Sequence, residues 1–600
     1  MSLSIYQSFI SEYSTKEKSL RIQLGWLSAV RLFLFIAFIV LGYKAIQTAQ
    51  AYFTLSSIAA LIIFLIMIRV YDRLDKKANF YKALVKLNQD EINFLNGETP
   101  VCDNGKEYID PHHSYSYDMD IFGEGGLFPY LNRTSTVFGK SALAQSLLHP
   151  AAASIKERQE AIKELKDKIE FRQYIQAYGT TQETKKKELN QLKTWIGSAF
   201  LFENKSFYYF LFIFPIAAFS CLFYHLFTEN ATSLNLFYAF FVLNLVISFS
   251  FAGKIKKHLS VSTSVTKILQ QFSEQLSQVE KQRFQSPLLK NIQQQLKTGN
   301  KTASQSIAKL ASLFNYLETI INLLVSVLLN GFFLFHIHVL FALEKWKKEN
   351  GKHIMQWLEL LGEIEALNSF ANLSFNNPTF CYPTISKEEN LLAENMGHPL
   401  IREQKRINNS ISFAEQKFVI LTGSNMSGKS TFLRTLGINL ILARTGSTVC
   451  AKEFAFYPYD VHVSMRISDS LQDSESFFYA ELKRLQHIIQ QLQAGNKIFV
   501  ILDEILRGTN SNDKHNGTVG LIRKLADIKA AGIIATHDLT VSKLAQEYPG
   551  YIINKCFESE IINDELLFDY KLRDGVCTTL SASFLMKKMD IIDNASASSG

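Results

Sequence analysis

Apolar residues crowd into a few long runs in the first two-thirds of this chain and into short runs after it. Leu32–Tyr43 is unbroken, Ala51–Ile68 carries no charge, and Phe207–Phe227 and Leu234–Ala252 are apolar apart from small breaks. A helix needs about 20 such residues to cross a bilayer. The last three runs supply them, and the first does if it extends to Ala49 or starts near Trp26. The runs come in two pairs, each joined by a short turn, so the pattern predicts two transmembrane α-hairpins, four transmembrane helices in all. A fifth run, Ile320–Leu343, is long enough to span but carries Asn322, Asn330, His336 and His338. One further crossing would put the two ends of the chain on opposite sides, so this run reads as a soluble helix packed in a core. Lys256–Thr319 is polar and helical, rich in Gln, Ser and Lys. Later the period changes: Phe418–Leu421, Ile498–Leu502 and Gly532–Ala535 have the length of buried strands, and Phe432–Leu442 has helical apolar spacing.

Charge orients the hairpins. Lys16, Lys18 and Arg21 precede the first pair, and Arg69, Arg73, Lys76 and Lys77 follow it. Lys185, Lys186, Lys187 and Lys205 precede the second, and Lys254, Lys256 and Lys257 follow. The connecting turns hold only Lys44 in the first pair and no basic residue across Thr228–Ser233. Positive charge stays on the cytoplasmic side. Both hairpins therefore dip out and return, which predicts an integral protein of the inner or plasma membrane with its N-terminus, core and C-terminal domain cytoplasmic. No small-residue cleavage site follows the first run and a second run comes at once, which excludes a signal peptide.

Composition fits that picture, with 47% hydrophobic residues and 47 phenylalanines among 600. The net charge of +8 suits anionic lipid and a nucleic-acid backbone equally. Six cysteines without a C-x-x-C pair read as free thiols in a reducing compartment. Asp110-Pro-His-His113 with Asp118 and Asp120 has metal-ligand residue types, but its place just ahead of the helical core favours a structural role.

The candidate chemistry lies in the strand-rich part. Gly423-Ser-Asn-Met-Ser-Gly-Lys-Ser430 fits the phosphate-loop pattern G-x-x-x-x-G-K-[ST], between a predicted strand and a predicted helix. Backbone N–H groups and the positive end of the helix dipole then face an anion. The predicted nucleotide-binding residues are Gly423, Ser424, Asn425, Met426, Ser427, Gly428, Lys429, Ser430 and Thr431. Lys429 reaches the β/γ-phosphates and Ser430 holds Mg²⁺. Lys497–Glu504 is an apolar strand ending in two acids. Asp503 is placed to orient hydrated Mg²⁺, and Glu504 to polarise the attacking water. Gly532–His537 is a third strand, ending in a histidine that can meet the γ-phosphate or that water. In open α/β sheets, ligands gather where such strands end.

The words joining these motifs, LTGSNMSGKSTFLRTLG, DEILRGTNSND and IIATHDLT, resemble the ATPase domain of the MutS mismatch-repair proteins, part of the wider ABC ATPase group. GLFPYLNRTSTVFGKSALAQSLLHP, from Gly126 to Pro150, resembles the start of the MutS core domain. His398-Pro-Leu400 and Asn409 resemble the entry to the ATPase domain. The resemblance implies ATP and Mg²⁺ as ligands, hydrolysis, and a homodimer in which Ser476 and Glu481, the counterpart of the ABC signature, complete the neighbour's site. The sequence departs from the family in four places. The signature region is shorter and lacks its glycines, Leu506 stands where the family has glycine, Lys514 follows Asp513, and Thr579–Ser583 replaces a Ser-Tyr-Gly segment. Phe122-Gly-Glu124 matches the three-letter mismatch-reading motif but falls in the core lead-in, where coincidence explains it.

The expected organisation is a cytoplasmic lead (1–25), transmembrane hairpin 1 (26–73), a linker (74–120), and a MutS-like helical core and lever domain (121–395). Hairpin 2 is inserted into that domain at about 206–253. An α/β P-loop (ABC-type) ATPase domain (396–590) and a disordered tail (591–600) follow. The expected function is a membrane-anchored MutS-like ATPase with a dimeric composite site that binds DNA, mismatch specificity being unsupported. The alternative is a membrane-embedded ATP-driven switch acting on a protein or lipid partner without DNA.

Overall fold

The computed structural model describes all residues except 1, 100–101, 181–185, 201–204, 466–476, 563–564, 578–590 and 592–600. It is mostly helical, with mixed sheets. By its internal contacts the chain forms two units. The first comprises Met1–Asn96, Thr134–Ala142 and Lys168–Glu365; the second comprises Gly97–Arg133, Leu143–Asp167 and Ala366–Gly600.

The first unit is helical. Helices α1 (Ser2–Thr48) and α2 (Ala51–Leu95) form one long antiparallel hairpin around a turn at Ala49. At 1.5 Å per residue α1 is about 70 Å long, so helix extends well past the apolar stretch. The polar ends pack by a spaced apolar stripe: Tyr6, Tyr13, Leu20 and Leu24 of α1 are buried, and Tyr13 joins Phe80, Leu84 and Ala177 in one cluster. Helices α3 (Ile213–Thr228) and α4 (Ala231–Ser250) form the second hairpin, where Asn230 caps α4 by accepting from the Thr232 N–H. Among the described residues, α1, α2, Tyr208–Thr228 (which contains α3) and α4 are long and apolar enough to cross a membrane.

Helix α5 (Ala252–Lys281) begins almost where α4 ends, and it pairs with α6 (Ala303–Glu318). Leu269, Phe272, Leu276, Ile307, Leu310 and Phe314 are buried along these two helices. Each such side chain contributes about 1.5–3 kcal/mol by leaving water. The tip near Thr298-Gly-Asn300 is a two-stranded turn.

Ile320–Leu343 is not the single core helix that the sequence predicts. It breaks into a 3-10 turn at Thr319–Ile321, helix α7 (Leu323–Phe333) and helix α8 (Phe335–Asn350). Asn322 caps α7 by accepting from the Val325 N–H at 3.2 Å. Leu334 reverses the chain with φ of 52°. Only α8 enters the core, through Leu340, Leu343 and Trp346.

The second unit is built on a six-stranded sheet. Its strands are β1 (Phe418–Gly423), β2 (Asp460–Ser464), β3 (Ile498–Asp503), β4 (Ala531–Thr536), β5 (Ile552–Ile562) and β6 (Glu565–Asp574), in the order β6-β5-β1-β4-β3-β2. All neighbours are parallel except β5 and β6. Strands β1, β3 and β4 are buried at every position, as their continuous apolar runs require of central parallel strands. Helices α9 (Lys429–Arg444), α10 (Phe477–Gln493) and α11 (Ser511–Asp527) belong to this unit, beside a smaller four-stranded sheet. Phe122 is buried against Tyr108 and Phe128, so it packs the interior of this unit.

Candidate functional site

Register brings the predicted residues together. Ala535 of β4 lies level with Leu421 of β1 and Asp503 of β3. The residues that follow each of these, Thr422 onward, Glu504 and Thr536-His537, therefore leave the sheet at one edge. The loop from β1 turns into α9 at Gly428, whose φ of 99° and closeness to Tyr570 both exclude a side chain: a Cβ there would lie 2.9 Å from the tyrosine Cδ1. Asn425, Met426, Ser430 and Thr431 are exposed, whereas Ser427 and Lys429 are buried.

Lys429 donates from Nζ to the carbonyls of Gly423 (2.7 Å) and Ser424 (2.9 Å). Burial lowers its pKa, opposed by the nearby Glu504 and Asp503 carboxylates. Ser430 Oγ donates to Asp503 Oδ2 at 2.5 Å, which joins the start of α9 to the end of β3. Burial raises the Asp503 pKa, opposed first by this hydrogen bond. The other oxygen, Asp503 Oδ1, is buried with no partner among the described residues, as are Ser424 Oγ and Ser427 Oγ. Several kcal/mol are at stake when such groups stay unpaired, so this edge is built to receive a polar ligand.

Glu504 has a backbone φ of 46°, an uncommon conformation for a side-chain-bearing residue. Its N–H donates to the Ala535 carbonyl at 3.0 Å. One carboxylate oxygen lies 3.7 Å from His537 Nδ1 and the other 3.4 Å from Arg507 Nη2. Glu504 and His537 thus sit side by side, with the histidine half exposed.

Ser476 lies outside the described residues. Glu481, predicted with it to face a neighbouring subunit, is buried in its own chain. Its Oε1 accepts from the Leu506 N–H at 2.9 Å, and burial raises its pKa against the Leu506 and Arg507 backbone hydrogen bonds. Arg484, one turn on, fixes α10 through Asp118 at 2.7 Å. Asp118, one of the candidate metal acids, is thereby engaged by an arginine and by the Met465 N–H.

The sequence reading gave Tyr570 no part in the site, yet its ring lies against Gly428 from 142 positions further along the chain. Asn409 fastens it, donating to the Tyr570 carbonyl (3.0 Å) and accepting from the Leu572 N–H (2.8 Å). Asn409 was visible as a family word; its meeting with the Tyr570–Leu572 segment was the missing link.

Residues 419–593, which contain this site, match the family model for MutS domain V. The chain is 30% identical over 228 residues to the DNA mismatch repair protein MutS of Pseudothermotoga lettingae, covering 37% of this chain and 28% of that protein. The Thermotoga maritima DNA mismatch repair protein MutS is 28% identical over 234 residues, covering 38% and 29%. The human MutS protein homolog 4 is 30% identical over 191 residues, covering 30% and 20%. The likeness to MutS proteins thus rests on the C-terminal domain. The aligned part spans less than a third of each of these relatives.

Proposed function

We propose that this chain is a membrane-anchored ATPase of MutS type, which hydrolyses ATP at a site completed by a second copy and engages DNA. The observation that carries the reading is the Ser430–Asp503 hydrogen bond beside the Glu504–His537 pair, at one edge of a MutS domain V. The residues fit Mg²⁺: a serine hydroxyl and a carboxylate meet at 2.5 Å, with a second carboxylate oxygen buried and unpartnered, and oxygen donors suit this hard cation. Ser430 and Asp503 would hold the ion, which supplies positive charge to the β- and γ-phosphate oxygens. Lys429 exchanges its two carbonyl partners for phosphate oxygens, and the backbone N–H groups at the start of α9 bind the rest of the anion. Glu504 orients and deprotonates the attacking water, and His537 holds it in line. The face of Tyr570 is available to stack on the base.

Four helices of bilayer length support membrane anchoring, and the flanking lysines and arginines support cytoplasmic placement of both termini. The relatives named as DNA mismatch repair proteins support DNA as partner. Exposed Lys281, Lys290 and Lys297 near the α5–α6 tip supply a surface for its backbone. One observation favours a second reading, an ATP-driven switch acting on a protein or lipid partner: α5 starts two residues after α4 ends, so lever and membrane hairpin are mechanically continuous. Binding to homoduplex, mismatched and branched DNA across a salt series separates the two, because backbone binding weakens steeply with salt.

The shared site is tested by mixing two inactive chains. Lys429→Ala disables its own phosphate loop, and Ser476→Arg blocks the loop of its neighbour. In a mixed dimer one site is intact, so activity returns to about half the wild-type value per mixed dimer if sites act independently. A verified mixed dimer that stays inactive, or a Ser476→Arg protein with full activity, contradicts the composite site.

A further inference from the structure

Helix α7 (Leu323–Phe333) is where structure and sequence pattern part company. No Asp, Glu, Lys or Arg occurs from Thr319 to Leu343. Eleven residues of helix reach about 16 Å, half a hydrocarbon core. The helix bends 110° away from the one before it and is turned back at Leu334.

The C-terminal end of α7 is docked. Phe332 packs on Phe241 of α4 with ring centroids 5.3 Å apart, and Phe333 on Phe219 of α3 at 5.3 Å. Gly331 allows this approach: a Cβ there would sit 2.3 Å from the Phe241 ring. The first turns of α7 are bare hydrocarbon, with Leu323 78% and Leu324 68% exposed and Val327 and Leu328 beside them. The hairpin it docks on is likewise apolar and exposed, at Phe223, Val246 and Phe249.

Its polar groups are satisfied inside the protein. Asn244, buried in the middle of α4, donates to the Gly331 carbonyl at 2.9 Å. Asn330 accepts from the His336 N–H at 3.1 Å, and its side chain meets the His336 ring. Thr319 Oγ1 lies 3.1 Å from the other ring nitrogen. Broken helix at membrane depth survives only when its freed backbone groups find partners within the protein, and a polar side chain in a span faces protein, not lipid. Water-facing leucines at the start of α7 would need neither arrangement.

We infer that α7 is a re-entrant membrane element, its outer face against the acyl chains of the leaflet by which it enters, docked to hairpin 2 through Asn244. This rests on the proposed membrane reading of α3 and α4. It leaves the number of crossings even, so both ends of the chain stay on one side. It also ties the end of lever helix α6 to the membrane hairpin, so a movement of the lever is transmitted at Asn322.

The full chain, reconstituted in phosphatidylcholine–phosphatidylglycerol vesicles, tests this. Leu324→Cys, Val246→Cys and Ala308→Cys are introduced one at a time where all six native cysteines, Cys102, Cys221, Cys381, Cys450, Cys556 and Cys577, are serine. They carry an environment-sensitive fluorophore, and lipids with acyl-chain nitroxides are the quencher. The expected result is strong quenching at 324 and at 246, on α4, with none at 308, on α6. Quenching at 246 but not at 324 overturns the re-entrant helix and leaves the membrane hairpin standing, and disulfide cross-linking between copies through 324 would then name a second chain as the occupant. No quenching at 246 overturns the membrane reading itself. A second arm labels Ala308→Cys and Glu349→Cys with an impermeant maleimide. Labelling from the same side of the vesicle is expected, and labelling from opposite sides shows a full crossing and contradicts the inference.

Discussion

Replacing Leu506 by glycine gives the residue that the resemblance leads one to expect there, and the structure predicts that it harms the protein. Leu506 has φ of 59°, a left-handed conformation that costs a side-chain-bearing residue about 1–2 kcal/mol. Glycine relieves that strain but loses about 0.5–1 kcal/mol of it to a freer unfolded chain. The Leu506 side chain is buried in the cluster that includes Ile505, Ile522 and Leu525. It also fills the space over Gly517, where a Cβ would lie 2.5 Å from Leu506 Cδ1. Emptying such a site costs about 2–5 kcal/mol. The net expectation is a loss of about 3 kcal/mol, or about 6–12 °C in the midpoint of a domain this size. Leu506→Ala keeps the strain and loses the packing, so it should melt lower still. The assay is thermal unfolding of the detergent-solubilised chain, followed by the nucleotide-sensitive transition. A Leu506→Gly protein that melts at or above wild type would refute the claim that leucine packing outweighs backbone strain here.

Two further outcomes follow from the same geometry. Glu481 has a raised pKa in the folded chain, so it favours folding below the ordinary carboxylate range, and that contribution is lost as pH rises through the raised value. Glu481→Gln keeps an acceptor for the Leu506 N–H and removes the buried charge. It should match wild type at acid pH and melt higher at neutral pH, and equal melting at both would show that burial of this carboxylate is inconsequential. Tags at residues 1 and 600 should both be protected from external protease in intact cells, with the chain resisting extraction by alkaline carbonate; an externally cleaved C-terminal tag would overturn the topology.

Much of the site was legible in the sequence because short-range rules dictate it. An apolar run of strand length followed by a glycine loop leaves little choice about where Lys429 and Ser430 point, and Asp503 and Glu504 follow from ending a buried strand in acids. The two helical hairpins were legible from hydropathy, but their length was not. Tyr6, Tyr13 and Leu20 repeat at seven-residue spacing, a helix-pairing signal overshadowed by the stronger apolar run beyond it. The break in Ile320–Leu343 was hidden because the reversal falls on Leu334 and not on the nearby Gly331, held by a bond between Asn330 and His336 that only the fold reveals. The inward role of Glu481 was hidden for the same reason, since its partner is a backbone N–H 25 residues away.

The most direct test of the central claim is steady-state ATPase and nucleotide retention of Glu504→Gln beside Lys429→Ala and wild type, each purified free of other ATPases. The account predicts that Glu504→Gln holds ATP with Mg²⁺ while hydrolysis falls at least about a hundredfold, the scale of losing a positioned base, and that Lys429→Ala does not hold ATP at all. Unchanged turnover in Glu504→Gln, or full ATP retention by Lys429→Ala, would contradict it.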